Sequence, residues 1–540
     1  MLATDPFTRR DDLGSELVAF ARFLGGLPRL VRRRMTLPEA LVIVKKRLRS
    51  REANFITVLQ RSVFANPTSP YRALLSMAGC TLGDVRELVS KEGLEGTLHR
   101  LRHSGVYVSF EEFKGVQPIV RGSLTIETTP ADFDNPGAGR YYSTTTGGST
   151  GTGRRVQLDL EHMEALLPGR ILVRHVHGVS GVPAATWSDL PPGGGLKGML
   201  LHAAAGEQAT HWFCAQPVTG RNGPPMRYRL ATRAALRIAR MAGAKVSWPR
   251  YVPFDQAVVL AQWAADQVQR SGACTIQASV SRILRIAIAA TTHNIDLTGT
   301  VLRGGGEPPT PAKVTKIVST GAIFRSSYAF SEIGPVGSSC VHATGPNDQH
   351  FMQDHLAMIQ AARPVPGFSI EVPAFCFTSL LTSAPKLLLN VESDDYGTVD
   401  TRPCGCEWET LGFPHHIRDI RSFRKLTGEG VTLVGSDIER ILDDLLPAHF
   451  GGSALDYQFA EEEDERGFTR LTLRVAPTVV LGDEAEAVEF VLRCLERAGG
   501  AAAIAQSMWR QAGTLRIRRE APTMTRRGKV MPLDIGARAS

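Results

Sequence analysis

A stretch of 14 residues, Tyr142–Arg155, constrains this chain more than any other because its backbone must turn repeatedly. It places four glycines among serine and threonine hydroxyls, and it ends in Arg154 and Arg155. Glycine lets backbone N–H groups converge on an anion, and the arginines add positive charge. A flexible Gly/Ser/Thr linker is the alternative. A phosphate-binding loop is favoured because apolar residues at helical spacing follow, namely Leu160, Met163, Leu166 and Leu167.

Three further motifs follow this stretch in the chain: Gly304–Pro308, Tyr328–Gly334 and Pro522–Lys529. In this order the four motifs resemble the signature motifs of the adenylate-forming superfamily, which includes acyl-CoA synthetases, adenylation domains and luciferases. The phenylacetate–CoA ligase branch is the most similar. The resemblance extends from about residue 107 to the C-terminus. Four motifs in sequence are much harder to obtain by chance than one.

Length and composition are those of a globular protein of more than one domain. The chain has 540 residues, 43% of them hydrophobic and 21% charged, which predicts two or three domains. No apolar run is long enough to span a bilayer and the N-terminus lacks a signal-peptide stretch, so we expect a cytoplasmic protein. Its eight scattered cysteines are expected to be reduced.

The net charge of +9 is compatible with several anionic partners. A nucleotide polyphosphate, CoA or an acidic carrier protein would suit it. No recognisable nucleic-acid-binding motif accompanies the charge, so we expect no nucleic-acid partner. Basic runs at Arg32–Arg34 and Lys45–Arg51 could bind a membrane surface or an acidic protein, but solvated helix faces are the more common explanation.

The periodicity divides the chain into three segments. Residues 1–105 are expected to be helical, and residues 106–422 alternate between strands and helices, which predicts a large α/β domain with mixed and parallel sheet. Residues 423–540 are expected to form a small α+β domain, which the resemblance makes a mobile lid. Within the large domain the pattern predicts strands at Val106–Phe110 and Lys313–Thr320 and a helix at Ala257–Val268.

The resemblance implies a nucleotide site built from the first three motifs. The hydroxyls and glycines of the loop would hold the β- and γ-phosphates, and the second motif would line the adenine. Without the resemblance, the second motif is only a turn. The implied nucleotide-binding residues are Thr146, Gly147, Gly148, Ser149, Thr150, Gly151, Gly305, Gly306, Glu307, Pro308, Tyr328 and Ser331.

The resemblance also assigns a carboxylate to magnesium and one to the ribose. Glu332 matches the magnesium-associated glutamate, and an ordinary helix-start acid is the alternative. Asp400 is our choice for the ribose hydroxyls, with Asp394 and Asp395 as rivals. Arg421 is the candidate nucleotide arginine at the hinge. The hinge aspartate of the family is replaced near Phe423, which puts a standard thioester step in question.

Lys529 matches the lysine that enters the site for adenylation. A lysine on a mobile loop can supply charge in one half-reaction and withdraw in the other. The alternative is a solvated basic tail, since Arg526 and Arg527 are adjacent.

Two short Cys-x-His/Cys pairs form a second constellation. Cys340 and His342, together with Cys404 and Cys406, supply the four N/S donors of a closed structural zinc site. They resemble clusters in some phenylacetate–CoA ligase relatives. His415 and His416 are alternative donors, and reduced unliganded cysteines are the alternative explanation.

Together these features predict an ATP- and Mg²⁺-dependent ligase that adenylates a carboxylic acid and passes the acyl group to a thiol, with CoA as the default acceptor. A carrier protein, an enzyme cysteine or an amine is an alternative acceptor, and a non-catalytic nucleotide-binding scaffold is the alternative from another class. We expect an aryl or medium acyl substrate first and an amino acid second. Phe254 and Asp255 resemble the Phe-Asp of amino-acid-activating domains, but a helix N-cap is preferred.

Overall fold

The structure is a computed structural model that describes residues 10–535 with short gaps. The residues outside the description within that range are 138–140, 147–153, 192, 208–209, 216, 219–223, 307–308, 331, 365–370, 423–426, 429–430, 433–439, 464–468, 499–508, 511–512, 514, 525–529 and 531. Among the described residues, no helix is both long and apolar enough to cross a membrane.

The N-terminal segment is helical, as predicted. Thr36 and Thr81 cap two of its helices by accepting hydrogen bonds from the backbone N–H groups three residues on, and acidic side chains complete both capping boxes. The helices are α1 (Arg10–Arg32), α2 (Leu37–Arg49), α3 (Arg51–Val58), α4 (Pro70–Met77) and α5 (Leu82–His103), with a π-helical turn at Leu59–Phe64.

A mixed sheet of twelve strands forms the centre of the molecule, which confirms the predicted α/β fold. Six neighbouring strands are parallel and the remaining six are antiparallel. The parallel strands are β5 (Ala184–Trp187), β6 (Thr210–Cys214), β7 (Val246–Tyr251), β8 (Cys274–Ser279), β9 (Thr300–Gly305) and β10 (Ile323–Phe330). The antiparallel strands are β11 (Gly334–Ser338), β12 (Gln349–Phe351), β13 (Leu356–Pro364), β14 (Glu371–Ser379), β15 (Val391–Thr401) and β16 (His415–Ser422).

Helices cover this sheet, and short strand pairs lie outside it. The helices are α6 (Phe110–Phe113), α7 (Leu160–Val176), α8 (Gly195–Ala204), α9 (Met226–Met241), α10 (Val258–Ser271), α11 (Val280–Thr292), α12 (Pro311–Val318) and α13 (Glu407–Thr410). The pairs are β1 (Ile119–Arg121) with β2 (Leu124–Ile126), β3 (Tyr141–Thr146) with β4 (Arg154–Asp159), and β17 (Thr427–Gly428) with β18 (Val431–Thr432).

The N-terminal helices and the antiparallel half of the sheet share one hydrophobic core. Phe55 and Leu98 of the helices belong to the same buried cluster as Phe375 and Phe377 of β14. The hydroxyl of Tyr71 in α4 donates to the carbonyl oxygen of Leu387 over 2.9 Å. The first hundred residues therefore stabilise the fold of the large domain directly.

A separate four-stranded sheet forms the C-terminal part, in the order β21 (Leu515–Arg519), β20 (Thr469–Val475), β19 (Tyr457–Glu463) and β22 (Leu533–Ile535). Helices α14 (Leu446–Phe450) and α15 (Glu484–Ala498) accompany it, after a π-helical turn at Ile441–Leu445. Asp443 forms a buried ion pair of 3.0 Å with Lys313 of α12. This contact joins the C-terminal part to the large domain.

Two predicted strands and one predicted cap were wrong, while the helix predicted at Ala257–Val268 is confirmed as α10. Lys313–Thr320 lies mainly in helix α12, because Thr310 caps that helix and Pro311 occupies its first turn. Within Val106–Phe110 only Val108 forms a single bridge, and Ser109 caps α6. Asp255 lies in a short 3-10 helix and does not cap α10.

Candidate active site and metal centre

The glycine-rich stretch joins two paired strands. Strands β3 and β4 pair from Tyr141 opposite Asp159 to Thr146 opposite Arg154, so Thr146 is the last strand residue before the turn. The predicted phosphate residues Gly147, Gly148, Ser149, Thr150 and Gly151 lie in that turn, outside the described residues. Helix α7 begins immediately after β4.

The second motif lies at the carboxyl end of β9, where small residues are required. A Cβ added at Gly305 would lie 2.6 Å from the Oγ of Ser327 on the neighbouring strand β10. Gly306 has a positive φ of 76°, which favours glycine. Glu307 and Pro308 lie outside the described residues. The parallel pairing of Gly305 with Ser327 brings the glycines next to Tyr328.

Tyr328 contacts the carboxylate of Asp395, one of the two rivals to Asp400 in the sequence analysis. Its hydroxyl donates a hydrogen bond of 2.6 Å to Oδ2 of Asp395 on β15. Strand pairing puts Ser422 of β16 opposite Asp395 and Arg421 opposite Tyr396. The hydrogen bond thus joins Asp395 to Tyr328, and the strand register places the backbone of Arg421 beside Tyr396, the residue after Asp395.

Asp400, the preferred ribose candidate, lies elsewhere. It forms an ion pair with Arg418, and the register places it opposite His416. Five strand residues span roughly 16 Å, so Asp400 is too far along β15 to share a ligand group with Asp395. Of the three candidate aspartates, Asp395 is the one whose carboxylate contacts Tyr328; the side chain of Asp394 is outside the description.

Glu332 has a partner that no motif indicated. The Nζ of Lys114 lies 2.7 Å from its Oε1, and both side chains are largely buried. The ammonium also lies over the rings of Phe113 and Phe110, at 4.9 and 5.4 Å from their centroids. Lys114 follows the short helix α6, 218 positions away in sequence, so only the tertiary fold brings it here. Ser331 lies outside the described residues.

Two candidates remain, Arg421 and Lys529. The structure describes only the backbone of Arg421, and it describes only residues on either side of Lys529. Arg421 is a strand residue of β16. Lys529 is outside the described residues, but Met524 and Val530 on either side of it form an antiparallel bridge.

Four N/S donor atoms converge at the end of β11, and one of them differs from the prediction. The donors of Cys340, His350, Cys404 and Cys406 all lie within 4.8 Å of one another. The Nε2 of His350 is 3.1 Å from the Sγ of Cys406 and 3.5 Å from that of Cys404. His342 is not part of this cluster: it is exposed, and its Nδ1 contacts the carbonyl oxygen of Cys404 at 2.6 Å.

The predicted alternatives His415 and His416 are also engaged elsewhere. The Nδ1 of His415 is 2.9 Å from the hydroxyl of Thr401, and that of His416 is 2.7 Å from Oδ1 of Asp348. His350 was missed because ten positions separate it from Cys340. The signal lies in the strand register: His350 of β12 pairs with Ser338 of β11, two residues before Cys340.

The cluster supplies four N/S donors that could hold a metal ion. The Nδ1 of His350 is 2.6 Å from the carbonyl oxygen of Phe413, which orients the ring with Nε2 towards the sulfurs. Burial lowers the pKa of His350 to about 4, so the imidazole is neutral, as a ligand must be. Burial raises the pKa of all three thiols, so a metal ion that binds them would displace protons.

Comparisons with known proteins give structural neighbours only. No family model and no curated protein matches the chain. The solved structures to which the chain is similar include ligases, at 11–14% identity. One is a 2-hydroxyisobutyryl-CoA ligase in complex with 2-HIB-AMP, at 14% identity and a TM-score of 0.48, covering 94% of this chain and 90% of that one.

Two other neighbours are more distant. ATP-bound MatB from Rhodopseudomonas palustris is 11% identical with a TM-score of 0.44, covering 73% of this chain and 67% of that one. A variant of the amide bond synthetase Mcba from Marinactinospora thermotolerans is 12% identical with a TM-score of 0.39, covering 91% and 97%.

Proposed function

We propose that the protein activates a carboxylic acid with ATP as an acyl-adenylate and then transfers the acyl group to an acceptor thiol, CoA by default. The observation that carries this proposal is the contact between Tyr328 and Asp395 beside Gly305 and Gly306. These groups suit a nucleoside. The carboxylate of Asp395 can accept hydrogen bonds from ribose hydroxyls, and the backbone at Gly305 and Gly306, which carries no side chain, leaves room for the adenine beside the ring of Tyr328. Ligands of open α/β sheets bind at such carboxyl ends.

In the first half-reaction an oxygen of the substrate carboxylate would attack the α-phosphorus of ATP. The bond from that phosphorus to the bridging oxygen breaks, and pyrophosphate leaves. Positioning and charge neutralisation dominate such steps. We assign phosphate contacts to the turn 147–151 and the cation of this step to Lys529. In the second half-reaction the acceptor thiolate attacks the acyl carbon, and AMP leaves.

Glu332 is the proposed magnesium ligand. Mg²⁺ would neutralise the phosphate oxygens, and one protein carboxylate is sufficient because phosphates and waters complete its shell. The ammonium of Lys114 already occupies Oε1 of Glu332 at 2.7 Å. Lys114 therefore sets the orientation of the carboxylate and competes with the metal for it.

For the ribose we propose Asp395 in place of Asp400. Asp395 lies beside Tyr328, whereas Asp400 is paired with Arg418. We assign a structural zinc ion to Cys340, His350, Cys404 and Cys406, where it would brace the loop after β11 and not take part in catalysis.

We retain residues 423–540 as the lid, because they carry Lys529 and a sheet of their own. The buried pair between Lys313 and Asp443 would hold the lid in its present position. We propose that the protein acts in the cytoplasm, because ATP and CoA are available there.

The test is ATP–pyrophosphate exchange with panels of aryl, fatty and amino acids. We expect exchange that depends on one class of acid and is lost in Lys529→Ala. Asp395→Asn should reduce exchange by roughly 10²-fold, as loss of a positioned polar contact does, while the matched variant Asp400→Asn should retain it. Equal loss in both variants would reject the choice of Asp395. ATP binding without exchange for any acid would favour a non-catalytic scaffold.

A further inference from the structure

A stretch of the large domain carries no acidic residue at all. No Asp or Glu occurs between Glu207 and Asp255, although the chain has 53 acidic residues in total. The same stretch contains eight basic residues: Arg221, Arg227, Arg229, Arg233, Arg237, Arg240, Lys245 and Arg250. A block with one sign of charge over this length creates a local positive potential whatever the net charge of the whole protein.

Helix α9 presents much of this charge on one exposed face. Its opposite face is buried through small residues such as Ala235 and Ala239, and it packs against α1 and α8. The exposed face carries Arg233, Arg237 and Arg240, which the helical spacing of four and three residues aligns. Among the described residues, none of these three arginines forms an ion pair with a carboxylate.

Large apolar side chains are exposed between the arginines. Met226 is 63% exposed, Leu230 56% and Met241 78%, and all three lie on α9. Single exposed apolar residues are ordinary, but several of them on one helix face indicate a binding surface.

The edge of the central sheet continues this surface. Strand β7 is the last strand on one side of the twelve, and the side chain of Trp248 on it is 41% exposed. The guanidinium carbon of Arg240 lies 5.7 Å from the ring of Trp248, so the helix and the strand form one continuous patch. Arg250, two residues after Trp248, lies on the same side of the strand and is also exposed.

Helix α1 extends the positive charge. It packs against α9 and exposes Arg22, Arg29 and Arg32. The side chain of Arg34, which follows α1, reaches Gly243 just after the end of α9. We name the exposed surface of α9 and β7, with these arginines at its margin, the α9 face.

We propose that the α9 face docks the protein on an anionic lipid bilayer. Arginines gain free energy from anionic headgroups, and Trp, Leu and Met side chains gain it from the adjoining acyl boundary. A nucleic acid would use the arginines but leave Met226, Leu230 and Met241 in water. Docking requires no nucleotide, so it is independent of the function proposed above.

The experiment is sedimentation of the full chain with vesicles, without ATP. Vesicles of phosphatidylcholine alone are compared with vesicles containing 30% phosphatidylglycerol, at low and high salt. We expect binding to the anionic vesicles that weakens as salt rises, and little binding to the neutral ones.

Paired variants separate the contribution of the arginine charges to vesicle binding from that of the apolar side chains. Each arginine close to an anionic surface is worth roughly fivefold in affinity, so Arg233→Gln with Arg237→Gln should weaken binding by about 30-fold. The matched control, Arg61→Gln with Arg270→Gln, removes the same charge from exposed helix positions elsewhere and should weaken it far less. Leu230→Ser with Met241→Ser keeps the charge and should also weaken binding several-fold.

Three results would overturn the proposal. The first is no binding of the natural sequence to anionic vesicles. The second is equal weakening by the α9 pair and by its charge-matched control, which would indicate unspecific attraction. The third is a result that excludes a lipid surface as the partner. Full binding by the serine pair would be such a result, and so would a preference for duplex DNA or an acidic carrier protein over vesicles.

Discussion

Acidification should destabilise the fold through histidines that are buried without charge, and His177 is the clearest case. It ends helix α7, and its Nε2 lies 2.9 Å from the carbonyl oxygen of Ser339 and 3.1 Å from the hydroxyl of Ser338. The helix end would favour an imidazolium, but burial opposes it more strongly and Arg303 adds repulsion. The pKa of His177 is lowered to about 3.

The size of the effect follows from proton linkage. The folded state stays unprotonated at His177 far below pH 6.5, whereas the unfolded chain binds a proton there. Stability contributed by the neutral form is therefore lost as pH falls below 6.5. Between pH 7.5 and 5.0 the loss is about 2 kcal/mol for His177. His162, whose pKa burial likewise lowers to about 3, should contribute a similar amount.

Urea unfolding at a series of pH values measures this loss, with tryptophan fluorescence and circular dichroism followed together. His177→Gln is the matched variant, since its amide can still donate to Ser339 but does not titrate. The variant should lose about 2 kcal/mol less than the natural sequence between pH 7.5 and 5.0. Identical pH dependence of the two proteins would refute the argument that His177 is held neutral by burial.

Three further predictions concern the candidate sites and the core. Cys406→Ser should abolish stoichiometric zinc in elemental analysis, whereas His342→Ala should retain it; the reverse pattern would restore His342 as the ligand. Glu332→Gln should reduce pyrophosphate exchange and raise the Mg²⁺ concentration needed for half-maximal rate, and an unchanged Mg²⁺ dependence would reject the metal role. Glu207→Gln, which removes the negative charge 2.9 Å from the buried guanidinium of Arg174, should lower the unfolding free energy by roughly 3 kcal/mol in denaturant titration. A loss under about 1 kcal/mol would show that the charge pair is dispensable.

Local signals in the sequence predicted the elements well where a periodic pattern and a cap agreed. Helix α2 begins at Leu37, directly after its capping residue Thr36, and helix α7 follows strand β4 with the expected apolar spacing. The strand predicted at Lys313–Thr320 was wrong for a local reason. The valine, isoleucine and threonine residues of this segment favour a strand, but Thr310 caps a helix there, and α12 forms instead.

The candidate site was less predictable because its contacts are set by tertiary pairing. Asp395 and Asp400 lie only five positions apart on β15, and the register of β15 against its neighbours decides which one contacts Tyr328. His350 joins the cysteines through pairing of β11 with β12. Lys114 reaches Glu332 across 218 positions, a separation that no motif spacing can encode.

The cysteine cluster also has a mechanical consequence. Cys340 and Cys404 lie on either side of the segment that contains β12, β13, β14 and β15. A metal ion bound to both residues would close this segment into a loop and shield it from a force applied at the chain ends. Stretching single molecules should then release an additional length of about 200 Å when the metal is removed with a chelator. In Cys340→Ser the same length should be released with or without the chelator.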